Sequence, residues 1–185
     1  MIDDVLAEAE TKMNKSIDAF QRDLATIRTG RANPALIEKV MVPYYGTPTP
    51  LNQLANITAP EARLLIVQVY DRSQLGAVEK ALRTSELGLN PTTDGSVIRV
   101  PVPTLTEERR REYVKMAKHK AEEARVAVRN VRRDEVHRIQ EREKAGEVAE
   151  DLAKRALERL QKITDVHISR IDALAARKET EVMEV

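Results

Sequence analysis

The residues with the clearest chemistry in this chain are four arginines in one short stretch. The run Arg125-Val-Ala-Val-Arg-Asn-Val-Arg-Arg133 contains no acid. At helical spacing its arginines fall on neighbouring turns and form one patch rather than a ring. Guanidinium groups bind phosphate bidentately, and a cluster of them gives an affinity that falls steeply with salt. The run therefore indicates a phosphate site, and the alternative is a solvated face neutralised by acids on a partner helix.

Further cations extend this patch. In a helix predicted from about Thr106, several basic residues each follow an apolar residue by one position, about 100° from the buried seam: Lys115, Lys118, Arg125, Arg129 and Arg132. Arg28 follows apolar Ile27 in the same way, and Arg31 lies just beyond the predicted end of the first helix. This conjunction favours phosphate binding over a solvated face.

Other site chemistry is not indicated. The three histidines have no second ligand at metal-binding spacing, and His167, on an apolar stripe, is predicted to be a satisfied core histidine. The chain contains no cysteine, no phosphate-cradling glycine loop and no G-x-S-x-G motif. The sequence therefore predicts no catalytic residue, no metal and no cofactor.

Composition limits the classes of protein that remain. The formal net charge is +1 although 33% of the residues are charged, so attraction to nucleic acid must come from local patches. The acidic N-terminus does not resemble a leader, and no segment approaches the ~20 apolar residues of a membrane span. We expect a soluble, cytoplasmic protein.

Glycine and proline divide the chain into three blocks. The first, Ile2 to Thr29, lacks both and predicts one helix capped by Gly30, with the stripe Ile2, Leu6, Ala9, Met13, Ile17, Phe20, Leu24 and Ile27. The last block predicts two long helices, with the stripes Val114, Ala117, Ala121, Ala124, Val128 and Val131, then Leu152, Ala156, Leu160, Ile163, His167, Ile171 and Leu174. Three stripes predict a three-helix bundle.

The middle block contains all eight prolines and predicts strands and turns. The strand candidates are Val40–Val42, Leu64–Tyr70 and Val97–Val100; the predicted turns are Tyr44–Pro50, Leu87–Pro91 and Thr93–Gly95. A short helix, Gln74–Ser85, is predicted after Asp71 or Ser73 as its N-cap. The fold class is therefore α+β: a long three-helix bundle of residues 1–30 and 105–185 holds an inserted, β-rich α/β domain of residues 31–104. The two adjacent crossings permit hinging.

Several segments, in order along the whole chain, resemble the signature segments of bacterial ribosome recycling factors. They are Arg28-Thr-Gly-Arg-Ala-Asn-Pro34, Tyr44-Tyr-Gly-Thr-Pro-Thr-Pro-Leu51, Leu87-Gly-Leu-Asn-Pro91, Ile98-Arg-Val-Pro101 with Leu105-Thr-Glu-Glu-Arg-Arg110, and Ala124-Arg-Val-Ala-Val-Arg-Asn-Val-Arg-Arg-Asp134. After about Val136 only helical periodicity and charge remain.

The resemblance implies an L-shaped protein, rather like a transfer RNA, that acts after termination. With elongation factor G and GTP it would split the post-termination ribosome into subunits, releasing mRNA and deacylated tRNA. The expected partners are large-subunit ribosomal RNA and elongation factor G; no membrane is involved, and the expected state is a monomer. The implied RNA-contacting residues are Arg28, Arg31, Arg129, Arg132 and Arg133, and the implied hinge residues are Gly30, Arg31, Thr104 and Leu105.

Two other readings remain open from the residues alone. The first is a cytoplasmic helical interaction protein whose stripes seek another helix and whose arginines only confer solubility. A strongly salt-dependent association with ribosomes would separate it from a recycling factor. The second is an enzyme, for which the sequence offers no convergent site.

Overall fold

The computed structural model of the protein describes residues 2–184, which fall into two compact units. The first, the helical unit, contains residues 2–28 together with Glu108–Val182. The second, the smaller unit, contains Thr29–Glu107 and residues 183–184. Long helices and a small sheet confirm the predicted α+β class.

Three helices build the helical unit: α1 (Ile2–Ala25), α4 (Glu107–Lys144) and α5 (Glu150–Met183). Each contributes a row of residues to one apolar core, as in any amphipathic bundle. The α1 stripe is as predicted, with Ile2 only partly buried. The buried row of α4 consists largely of small residues, Ala117, Ala121, Ala124 and Val128, followed by Glu135 and Ile139.

The predicted stripe of α5 is wrong at its start. Leu152 is 50% exposed, and Ala153 takes the core position instead. From Ala156 the predicted and observed rows coincide at Leu160, His167 and Ile171.

The predicted end of the first helix is also wrong. The helix ends at Ala25 instead of Thr29, so Gly30 is not its cap. Two backbone hydrogen bonds that span three residues instead of four close the last turn: the Thr26 N–H donates to the Asp23 carbonyl, and the Ile27 N–H donates to the Leu24 carbonyl. The Thr26 hydroxyl also donates to the Asp23 carbonyl at 2.7 Å. These local bonds satisfy the last carbonyls before the glycine is reached.

A glycine does end α4. Gly146 has φ 75° and donates to the Glu143 carbonyl at 3.0 Å, while the Glu147 N–H donates to Arg142 at 3.0 Å. This pair of bonds is the Schellman arrangement, which needs a left-handed residue at this point. The sharp stop lets α5 begin a few residues later.

The smaller unit contains a hairpin, a four-stranded sheet and a short helix. The hairpin pairs β1 (Met41–Tyr44) with β2 (Thr47–Pro50). After the one-turn α2 (Leu51–Leu54), the strands β3 (Ala55–Glu61), β4 (Leu64–Val69), β5 (Thr92–Asp94) and β6 (Val97–Pro101) form an antiparallel sheet in the order β3-β4-β6-β5. Between β4 and β5 lies α3 (Leu75–Thr84), which buries Val78 and Leu82 in the core of the smaller unit.

The predicted turn at Tyr44–Pro50 is mostly strand, because its prolines sit where a ladder tolerates them. Tyr45 and Gly46, with φ 49° and 80°, form the two-residue turn; its left-handed backbone conformation matches the right-handed twist of the paired strands. Pro43 pairs with Pro48, and since neither has an N–H, this pair occupies a non-hydrogen-bonded position. Prolines therefore block the outer edges of both strands.

The predicted short helix Gln74–Ser85 is confirmed to within one residue at each end, as α3. Asp71 is the N-cap of a 3₁₀ turn over Arg72–Gln74, and its carboxylate accepts the backbone N–H of Ser73 at 3.0 Å. Helix α3 follows this turn. The strands β3 and β5 were not predicted, because β3 is largely exposed and contains a proline, and β5 has only three residues.

Candidate nucleic-acid interface

Helix α4 holds five predicted cations on one side. Its buried alanine row fixes the helix rotation, and Lys115, Lys118, Arg125, Arg129 and Arg132 each follow a stripe residue, so they lie on the flank that faces α5. We call these five residues, with Arg133, the basic face. The structure thus brings these six predicted residues onto one helix surface.

Arg125 is the most constrained member of the basic face. Its Nε donates to Asp172 of α5 at 2.8 Å, and its Nη1 donates to Glu122 at 2.8 Å. The side chain is only 25% exposed. The hydrogen bond to Asp172, and then that to Glu122, raises the pKa of the guanidinium above its ordinary value. Two carboxylates therefore compensate the charge of Arg125 before any ligand arrives.

Arg129 and Arg132 keep more of their charge. Arg129 lies 3.7 Å from Glu122, beyond hydrogen-bond length, and its side chain is 45% exposed. The Arg132 Nη1 donates at 3.2 Å to Oε1 of Gln161 on α5, a neutral acceptor. Gln161 is itself held by a 2.8 Å bond to Asp165. This contact orients the Arg132 guanidinium without neutralising it.

Three cations of the basic face have no partner within residues 2–184. Arg133, Lys115 and Lys118 are exposed, and in the described chain none of them makes a hydrogen bond or an ion pair. These uncompensated cations lie on the same helix surface as Arg132, whose only described partner is the neutral Gln161. Such a row attracts anions such as phosphate.

The two arginines at the end of the first helix lie in different units. Arg28 belongs to the helical unit, where its Nε and Nη2 are buried with no hydrogen-bond partner among the described residues. Buried donors of this kind are costly unless a water or a ligand satisfies them. Arg31 belongs to the smaller unit, is 67% exposed and contacts Glu184 at 2.9 Å.

The two crossings between the units are tied to one turn of the smaller unit. The Ala32 N–H donates to the Ala62 carbonyl at 2.6 Å, and the Val102 N–H donates to the neighbouring Arg63 carbonyl at 2.8 Å. The crossings therefore lie side by side where they enter the sheet. Of the predicted hinge residues, Thr104 is exposed and Leu105 is buried, and a side chain at Gly30 would crowd the Glu184 carbonyl at 3.3 Å.

The sequence did not reveal an ion cluster around one buried glutamate on the opposite flank of α4. Glu135 is fully buried, and its carboxylate binds Lys12 of α1 at 3.2 Å and Arg138 at 3.0 Å. Glu8 contacts both of these cations. The positions of charged residues in the sequence could not predict this cluster, because they do not show which glutamate faces a cation on another helix.

His167 has the structural role that the sequence predicts. It is buried, with Nδ1 2.7 Å from the Ile163 carbonyl and Nε2 2.9 Å from Asn14 Oδ1. Across residues 2–184, no group of three or more histidines and carboxylates could hold a metal ion. Among these residues no helix is long and apolar enough to cross a membrane.

The fold and the basic face together define a two-unit α+β protein with one positively charged helical surface. The chain matches the family model described as Ribosome recycling factor over residues 20–183. It is 55% identical to the ribosome-recycling factor of Acidothermus cellulolyticus over 185 residues, all of both chains, and 55% identical to that of a Geobacillus species over the same span. The chain belongs to the ribosome recycling factor family, whose members are translation factors rather than classical enzymes.

Solved structures agree with this assignment. One, a solution structure of the ribosome recycling factor, has a TM-score of 0.74 and 47% identity and covers 100% of this chain and 98% of its own. A second has a TM-score of 0.67 and 44% identity, with 100% of each chain covered. It is described as models for the T. thermophilus ribosome recycling factor and the E. coli elongation factor G bound to the E. coli post-termination complex.

Proposed function

We propose that this protein recycles ribosomes by binding large-subunit ribosomal RNA through the basic face and acting as a hinged lever. With elongation factor G and GTP it splits the post-termination ribosome, in the cytoplasm and as a monomer, releasing mRNA and deacylated tRNA. The observation that carries the RNA contact is a row of uncompensated cations on one flank of α4, in a chain of net charge +1. Membership of the family, and the relative described in a complex with elongation factor G, support the partners.

The arginines divide the work according to their partners. Arg129, Arg132 and Arg133 provide the main phosphate contacts because their charge is poorly compensated. Arg129 is 3.7 Å from its nearest carboxylate, Arg132 bonds to a neutral amide, and Arg133 has no partner within residues 2–184. Arg125, held by two carboxylates, mainly fixes α4 against α5. Arg28 and Arg31 add contacts near the crossings, and the unsatisfied donors of Arg28 suit a phosphate oxygen.

The lever part of the proposal rests on the two crossings. Backbone bonds fix Ala32 and Val102 to adjacent residues of one turn, so motion concentrates in the short segments around Gly30-Arg31 and Thr104-Leu105. We propose residues 1–30 and 105–185 as the anchored domain and residues 31–104 as the moving one. GTP hydrolysis by elongation factor G supplies the energy.

A splitting assay tests both parts. Post-termination ribosomes are mixed with the protein, elongation factor G and GTP; subunit separation is followed by light scattering and binding by co-sedimentation. We expect the wild type to split ribosomes only when elongation factor G and GTP are both present. The double variant Arg132→Ala/Arg133→Ala should bind weakly and split little, and undiminished binding would overturn the basic face as the anchor.

The lever is tested separately by loosening one crossing. Insertion of a Gly-Ser pair between Pro103 and Thr104 leaves every cation of the basic face in place and lets the smaller unit move without pushing the other. We expect near-normal ribosome binding and a strong loss of splitting. The same insertion in the Gly95 turn between β5 and β6 is the control. Normal splitting by the crossing variant would show that the crossings only connect the units.

A further inference from the structure

The smaller unit carries an apolar groove that the RNA-binding proposal does not use. It measures about 780 Å³ and runs between α3 and β1. One wall is Val40, Met41 and Pro43; the other is Ala77, Ala81 and Thr84 of α3. Met41 is 57% exposed there, although an apolar side chain of this size is normally covered. The groove therefore has the apolar, exposed lining of a docking surface for an apolar partner.

The backbone at this groove disfavours an added strand. Pro43 lies on the outer side of β1, where its missing N–H removes a donor that strand addition needs. The opposite wall offers small or short side chains at positions 77, 81 and 84, a spacing of four and three along α3. Such a wall lets another helix pack closely, as small residues do at helix–helix contacts. The shape fits a helix better than an extended peptide.

The charges at the rim specify the sign of the partner. The two charged residues that line the groove are both lysines, Lys39 beside β1 and Lys80 on α3. Both are exposed, and neither has an ion-pair partner in the described part of the chain. On the adjacent face of α3, by contrast, Glu79 and Arg83 pair with each other. Of the two cations of α3, Arg83 is thus compensated, whereas Lys80 stays free where the groove opens, opposite Lys39, which favours carboxylates on the occupant.

We propose that this groove binds an amphipathic helix of a partner protein, with an apolar face that fills it and carboxylates that meet Lys39 and Lys80. RNA fits less well because the walls are apolar and no arginine lines them. The segment from Val40 to Pro60 contains no charged residue, so this side of the unit is suited to protein contact. The proposal uses no residue of the basic face and stands independently of RNA binding.

Two synthetic peptides of about 15 residues serve as probes, since shorter helices are marginal in water. Both carry leucines at i, i+3, i+4 and i+7; one has glutamates on both flanks and the other has lysines. Binding to the full-length protein is measured by fluorescence anisotropy. We expect the glutamate peptide to bind at least about tenfold more tightly than the lysine peptide. The double variant Lys39→Glu/Lys80→Glu should reverse this order.

Steric controls locate the contact. Thr84→Trp fills the groove from an exposed position and should abolish binding of the glutamate peptide, whereas Thr58→Trp on exposed β3 should not. Failure of both peptides to bind, or the same preference before and after the charge reversal, would overturn the proposal. So would binding of decanoate alone, which would indicate a small-molecule site, or a concentration-dependent dimer that Thr84→Trp dissociates, which would indicate a second copy.

Discussion

The two flanks of α4 carry positive charge in different ways. On the flank that faces α1, Arg138 and Arg142 bind Glu8 and Asp4, and Arg138 also contacts the buried Glu135. On the flank that faces α5, Arg132 bonds to a neutral amide, and its neighbour Arg133 has no partner within residues 2–184. We call the first the paired flank; it includes Lys120, which contacts Glu123. The same residue types thus hold the bundle together on one side and, apart from Arg125, remain available to a ligand on the other.

Reversing one charge on each flank should give the largest difference. Arg132→Glu places a carboxylate where we propose a phosphate contact, so ribosome affinity should fall roughly 100-fold. Its thermal unfolding should change little, because the side chain flanks the core and its loss opens no cavity. Co-sedimentation with ribosomes and a melting curve are measured on the same variant.

The matched control is Lys120→Glu, which changes the net charge equally on the paired flank. Its ribosome affinity should stay within about threefold of wild type, apart from a weak long-range effect. Equal losses for the two variants would mean that total charge, rather than the basic face, governs binding.

Removing the buried carboxylate of the paired flank should affect stability instead. Glu135→Ala leaves Lys12 and Arg138 without their shared acceptor, which should cost about 2 kcal/mol, less than for a fully buried pair because both cations reach solvent. Urea unfolding measures the change, and ribosome affinity below the unfolding transition should be nearly normal. Glu135→Gln retains the shape of the side chain, and its free energy of unfolding should lie between those of wild type and Glu135→Ala. A stable Glu135→Ala variant with poor binding would assign the paired flank to function.

The salt dependence distinguishes members of the basic face from one another. Removing Arg129, whose charge is poorly compensated, should make the slope of log K against log salt shallower by roughly one unit. Arg125→Ala should change the slope by less than about half a unit, because Asp172 and Glu122 already compensate that charge. Equal changes for the two would show that ion pairing within the protein does not decide which arginines contact RNA.

Much of the difference between the two flanks of α4 could be predicted from the sequence, and part of it could not. The apolar stripes fixed which side of α4 is buried and hence placed Lys115, Lys118 and the arginines together. The partners across the bundle could not be predicted, because Gln161, Asp172 and Glu8 meet their arginines only after the helices choose a relative register. In the smaller unit, Leu64–Val69 was predicted from its apolar run, whereas exposed β3 lacks such a run and was missed.

Acid should weaken the paired flank by a small amount. The hydrogen bond from Arg138 lowers the pKa of Glu8, and that from Arg142 lowers the pKa of Asp4. A depressed folded-state pKa gives stability that is complete above the unfolded value of about 4 and is lost as the pH falls through the folded value. Asp4→Asn/Glu8→Gln should therefore lose less melting temperature between neutral and strongly acidic pH than wild type. The control Asp18→Asn, on an exposed α1 position without a described ion pair, should follow wild type.

Crosslinking from each flank tests the central claim most directly. Because the chain contains no cysteine, single cysteines at Lys118 on the basic face and at Asp134 on the exposed side of α4 away from it can be labelled with the same photoreactive group. Each labelled protein is bound to post-termination ribosomes and irradiated, and the crosslinked RNA is mapped. The proposed function predicts strong crosslinks to large-subunit ribosomal RNA from Lys118→Cys and few from Asp134→Cys. Equal yields, or crosslinks from Asp134→Cys alone, would contradict it.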